Sequence, residues 1–183
     1  VSPGFGGSCF KKDILNLVYI CRQYGLEEVA EYWHQVVKIN DYQRKRIFNI
    51  VNSTLVELKN KKISILGWSF KKDTNDTRES SSIPISSDLI INGASLKIYD
   101  PLAEKKQIIQ DLTTYLGSKD LSLKEIKSLL SQVKIQSTLS ECLTNLDAII
   151  VLTEWDEFAE LDWENNKLNA SHINLPYIFD TRN

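Results

Sequence analysis

From Leu26 to Leu66 the chain contains neither glycine nor proline. Over that span Val29, Trp33, Val36, Val37, Ile47, Ile50, Val51, Leu55 and Leu58 keep mostly to a period of about 3.6 residues. The pattern predicts one helix from about Glu27 to about Leu58, interrupted in polarity only by "NDYQRKR" and longer than an ordinary globular helix. A helix of that length bridges domains or packs against a partner subunit. Trp33, Val36 and Ile47 are therefore expected to need cover from outside the chain. The run "QRKR" at 43–46 reads as the wet face of the helix.

Ahead of this helix, Cys9 follows glycines at 4, 6 and 7 and precedes Lys11 and Lys12. Asp13 stands where an N-cap would stand. Ile14, Leu17, Val18 and Cys21 recur at helical spacing, and Gly25 stands where the helix would stop. Beyond Lys61 the texture changes. "KKISILG" reads as a strand, Ser82 to Ile91 as a helix stopping at Gly93, and "SLKIYD" as a second strand. An amphipathic helix carrying Leu123, Ile126, Leu129 and Leu130 follows, then "VKI", a helix near "SECL", the apolar run "AIIVL" and a last strand "YIFD". This alternation predicts an α/β fold with a mostly parallel sheet. The expected division is residues 1–59, cysteine loop and helices, and residues 60–183, sheet domain.

The 183 residues carry a net charge of −2, with 22 basic and 24 acidic side chains. That balance gives no reason to expect nucleic acid or an anionic membrane as a partner. No run of about 18 apolar residues could span a bilayer, and no signal-peptide layout is present, so the expected location is the cytoplasm. Cys9, Cys21 and Cys142 are odd in number and lack metal-ligand spacing, which argues against a disulfide framework and against a metal site. His34 and His172 have no acidic or cysteine partner nearby in sequence and are given no role.

Two stretches could carry chemistry. Gly67 opens "GWSFKKDTNDTRESSS", where a dinucleotide-binding Rossmann domain would show G-x-G-x-x-G and this chain does not. Lys71, Lys72 and Arg78 make that loop either a phosphate site or a solvated turn whose charges neutralise one another. Cys9 is either a buried structural thiol or a reactive one, since nearby glycines, lysines and a helix start favour thiolate.

In order and in spacing, "PGFGGSCFKKD", "NDYQRKR", "ILGWSFKKDTNDTRESSSIPI", "IYDP", "LTEWDEF" and "FDTRN" resemble the last part of the nucleotide-sugar 6-dehydrogenases, closest to the UDP-glucose branch. The resemblance runs from Pro3 to the end. It implies a long connecting and dimerisation helix followed by a Rossmann-like domain that binds the UDP end of the substrate, in a homodimer. It also implies NAD-dependent oxidation of UDP-glucose to UDP-glucuronate in two hydride transfers. In that chemistry Cys9 is the nucleophile, passing through a thiohemiacetal and a thioester, and Asp13 orients the hydrolytic water. Cys9, Phe10, Lys11, Lys12 and Arg78 would lie toward NAD. Pro3, Gly4, Phe5, Gly6, Phe70, Lys71 and Arg182 would hold the nucleotide sugar.

Lys11 stands where relatives usually carry Gln or Pro. The alternatives are a related enzyme for GDP-mannose or UDP-N-acetylmannosamine, or a non-catalytic UDP-sugar-binding module. In the family an NAD-binding domain with a catalytic Glu precedes the cysteine motif, and this chain has no methionine, so it is expected to be a fragment that does not turn over alone.

Overall fold

The computed structural model describes residues 2–161, 163 and 176–182. Two helices come first, α1 (Phe10–Gln23) and α2 (Glu27–Leu55). They form a hairpin closed at Gly25 around Ile14, Val18, Cys21, Ala30 and Val37, with Leu17, Trp33 and Val36 packed on that cluster. The second half of α2 sends Phe48, Val51 and Leu55 into the main core. The helix ends three residues before the expected Leu58, because Val56 turns to positive φ without a glycine to announce it.

The remaining elements are β1 (Lys62–Leu66), α3 (Ser82–Ile91), β2 (Ser95–Tyr99), α4 (Lys105–Gly117), α5 (Leu123–Leu130), β3 (Val133–Ile135), α6 (Leu139–Cys142), β4 (Ala148–Val151), α7 (Asp156–Ala159) and β5 (Tyr177–Asp180). The strands form one parallel sheet in the order β3-β2-β1-β4-β5. β1 and β4 are central, and Ile63, Ile65, Leu66 and all four residues of β4 are buried, as an apolar strand covered on both faces requires. The expected α/β fold is the observed one. The sequence reading missed α4, which buries Ile108, Leu112 and Leu116 but starts at Glu104 without a side-chain cap.

Strand order reverses between β1 and β4. The loops leaving their carboxyl ends, after Leu66 and after Val151, therefore border the crevice where open α/β sheets place ligands. Among the described residues, no helix is long and apolar enough to cross a membrane, and no three His, Cys, Asp or Glu side chains converge as metal ligands would.

Candidate functional site

The site is assembled from three stretches that lie far apart in the chain. The first is the loop from Ser2 to Cys9. α1 begins at Phe10, so Cys9 itself occupies the N-cap position, and Asp13 lies in the first turn instead of capping the helix. The Asp13 amide donates to the Cys9 carbonyl at 2.8 Å. Four residues apart on a helix, thiol and carboxylate share one face. Cys9 is exposed, with its sulfur 3.7 Å from the Ser8 hydroxyl, whereas Cys21 and Cys142 are buried. The structural-thiol alternative thus fits those two and not Cys9. Burial pushes the Cys142 thiol up to about 11.

The second stretch is the loop from Gly67 to Ser81. It packs directly on the first: the Gly7 amide donates to the Arg78 carbonyl at 2.8 Å. A Cβ on Gly6 would sit 2.7 Å from the Glu79 carbonyl oxygen and 2.7 Å from the Phe70 Cβ, so only glycine allows the two loops to touch. The charges of this loop divide into two kinds. Lys72 donates to Asp156 at 2.7 Å, and Arg78 holds Asp76 through Nε at 2.9 Å and Nη2 at 2.7 Å. Arg78 follows the neutralised-turn alternative, whereas Lys72 is neutralised from outside the loop, by Asp156 of α7. The Arg78 guanidinium keeps the Asp76 carboxyl below its usual range. Lys71 is different: its ammonium lies 5.7 Å from the Phe70 ring centre and forms no ion pair among the described residues. It is an exposed cation available to an anion.

The third stretch is the end of β5. Arg182 donates through Nε to the Leu152 carbonyl at 2.8 Å, through Nη2 to the Phe70 carbonyl at 3.2 Å and through Nη1 to the Ser2 hydroxyl at 3.4 Å. Glu154 Oε2 lies 3.1 Å from the same Nε, an ion pair without hydrogen-bond alignment. One half-buried guanidinium ties all three stretches together. Its burial draws the Arg182 pKa down, and Glu154 opposes part of that.

The crevice at the end of β1 has no cradle for a dinucleotide. Asp100, at the end of β2, accepts from the Trp68 and Ser69 amides at 2.6 and 2.9 Å and from Trp155 Nε1 at 3.1 Å. The amides that could meet a pyrophosphate are thereby occupied. A Cβ on Gly67, which has φ +94°, would fall 2.4 Å from Thr153.

Of the sequence-predicted site residues, Pro3, Gly4, Phe5, Gly6, Cys9, Phe70, Lys71, Arg78 and Arg182 belong to these stretches, and Phe10 follows the first of them as the opening residue of α1. The Phe5 and Phe10 rings meet edge to face at 4.7 Å. Lys11 pairs with Glu79 at 2.9 Å, so it bridges the first two stretches, and Lys12 and Asp13 stand exposed on α1. Sequence reasoning missed Asn40, Glu79 and Asp100. It also misjudged "QRKR": Arg44 is 8% exposed, because it lies four residues after the buried Asn40 on the inward face of α2. His34 does have an acidic neighbour, with Nδ1 3.7 Å from Glu31, one helical turn away. His172 and Asn183 lie outside the described residues.

Residues 64–183 match the UDP binding domain of the UDP-glucose/GDP-mannose dehydrogenase family, and residues 1–42 match that family's central domain. The chain is 47% identical over 182 residues to UDP-glucose 6-dehydrogenase of Gallus gallus, covering 99% of this chain and 35% of that protein. It is 47% identical over 186 residues to UDP-glucose 6-dehydrogenase 4 of Arabidopsis thaliana, covering 100% of this chain and 38% of that one. It thus spans little more than a third of these curated relatives. Its fold is that of a UDP-glucose dehydrogenase from Pyrobaculum islandicum, at TM-score 0.73 and 23% identity over 100% of this chain and 35% of that one. The family's UDP binding domain matched over residues 64–183, its central domain matched over residues 1–42, and identity along the whole length to its curated members agree: the chain belongs to the UDP-glucose/GDP-mannose dehydrogenase family.

Proposed function

We propose that these residues serve the NAD-dependent oxidation of UDP-glucose to UDP-glucuronate in the cytoplasm. Residues 1–59 supply the thiol and an assembly helix, and residues 60–183 supply the UDP end of the site. The observation that carries the reading is the exposed Cys9 at the start of α1, in a loop hydrogen-bonded to the loop that presents Lys71, which has no ion pair among the described residues. The choice of UDP-glucose over GDP-mannose or UDP-N-acetylmannosamine is supported by the identity to curated UDP-glucose enzymes.

Each residue then has a chemical task. Lys71 and Arg182 offer charge-assisted donors to the diphosphate, with Phe5, Gly6 and Phe70 around the sugar. The Cys9 thiolate adds to the C6 aldehyde carbon, forming a carbon–sulfur bond and an alkoxide that takes up a proton. Oxidation of that thiohemiacetal leaves a thioester. Water held at Asp13 attacks the thioester, the carbon–sulfur bond breaks, the carboxylate leaves and the thiol is restored. When bound, NAD supplies the hydride acceptor for both oxidations. Phe10, which is 49% exposed, and Arg78 fit one wall of its site. The β1 crevice, closed by Asp100, does not fit a dinucleotide.

For that reason the 183-residue chain by itself is expected to form no NADH from UDP-glucose, and NADH appearance would contradict this. The thiol chemistry can be tested without cofactor. Native mass spectrometry of the chain with the UDP-linked aldehyde should show one adduct per chain that is lost in Cys9→Ser. An equal adduct in Cys9→Ser, or none on folded wild type, would overturn the proposal.

A further inference from the structure

We infer that Asn40 and Arg44 of α2 are positioning residues that set the Cys9 loop for reaction, an assignment that rests on the proposed thiol chemistry. Both are buried, at 3% and 8% exposure, on one face of a helix that otherwise turns its polar groups outward. Asn40 grips a single residue of the loop from both sides. Its Oδ1 accepts from the Phe5 amide at 2.7 Å, and its Nδ2 donates to the Phe5 carbonyl at 3.1 Å. Only a side-chain amide offers donor and acceptor in that arrangement; a carboxylate would face the carbonyl with a like dipole.

One turn later, Arg44 Nη2 donates to the same Phe5 carbonyl at 2.9 Å and to the Glu79 carbonyl at 2.7 Å, while Nε donates to the Ser81 hydroxyl at 3.3 Å. Its charge is met at longer range, by Asp41 at 3.5 Å and Glu79 at 3.7 Å through Nη1. A buried cation spent mainly on backbone carbonyls of two loops fixes their relative position. The Phe5 ring then meets the Phe10 ring, the residue directly after Cys9, at 4.7 Å. The path from α2 to the thiol is therefore continuous: Asn40 and Arg44, the Phe5 backbone, the Phe5 ring, Phe10, Cys9.

The test compares wild type, Asn40→Ala, Arg44→Gln and Arg44→Lys by the rate of iodoacetamide labelling at Cys9 and by the protection UDP-glucose gives. Cys21 and Cys142 are buried, so labelling of the folded chain reports Cys9. Asn40→Ala and Arg44→Gln should change the labelling rate by about tenfold or more and lose protection, because small misplacements of a reacting group are costly. Arg44→Lys, which keeps the charge and loses the fork, should recover part of both. Wild-type labelling and protection in Asn40→Ala and Arg44→Gln would overturn the inference.

Should either variant fail to fold, hydrogen exchange of the Phe5 amide in wild type decides: slow exchange supports the clamp, and exchange at the unstructured-chain rate overturns it. Absence of UDP-glucose protection in wild type would count against the proposed function, while the labelling rates would still judge the positioning role.

Discussion

Asp100 shows how one side chain can decide what a crevice holds. Its carboxylate accepts from the amides of Trp68, Ser69, Leu102 and Ala103 and from the Trp155 indole, all within 3.1 Å. Asp100→Ala would leave several of these donors without a partner, and urea unfolding should show a loss of at least about 2 kcal/mol. Lys71 carries the opposite expectation, because it makes no ion pair among the described residues. Lys71→Ala should leave stability unchanged and weaken UDP-glucose binding roughly tenfold, about 1.4 kcal/mol. Alkaline pH offers a third check. Burial first, and Glu157 beside it second, push the Tyr99 phenol up to about 12, and burial pushes the Cys142 thiol up to about 11. Unfolded, these groups lose their protons near 10.0 and 9.0. Both folded values are raised, so their contribution is fully present below pH 9 and is lost as pH rises toward 12. Stability measured by urea should fall through that window, and Tyr99→Phe should flatten its upper part. An unchanged slope would contradict the raised, half-buried Tyr99 phenol.

At the scale of elements, the long helix was legible from its freedom from glycine and proline, but its faces were not. Trp33 and Val36 pack on the α1–α2 cluster and Ile47 on the main core, so the residues expected to need outside cover already have part of it. The exposed apolar side chains of α2 are instead Val29, Tyr32, Ile39, Tyr42 and Ile50. A periodic pattern that slides along nearly thirty residues does not say which stripe faces inward; a buried Asn40 and Arg44 settle it here, and both look like surface residues in sequence. We expect Ile39→Glu, at a position 64% exposed, to lower association of the chain in light scattering at micromolar concentration without lowering its unfolding temperature. Undiminished association in the variant, or a strict monomer in the wild-type chain, would contradict this. The strands were legible for a simpler reason, since β4 is apolar throughout and β1 is a short β-branched run ending at Gly67. α4 was not, because no capping side chain marks its start and Thr113 and Thr114 dilute its apolar stripe.

For the whole molecule, the motifs named which loops matter, while the contacts among them required the fold. Gly6 against Phe70, Lys11 against Glu79 and Arg182 against the Phe70 carbonyl each join residues at least sixty positions apart. The central claim is that residues on both sides of this junction hold a UDP-sugar next to Cys9. Calorimetric titration of the 183-residue chain with UDP-glucose, with GDP-mannose and NAD as controls, tests it most directly. The account predicts saturable binding of UDP-glucose alone; a folded chain that binds none of the three, or binds GDP-mannose as well as UDP-glucose, would contradict it.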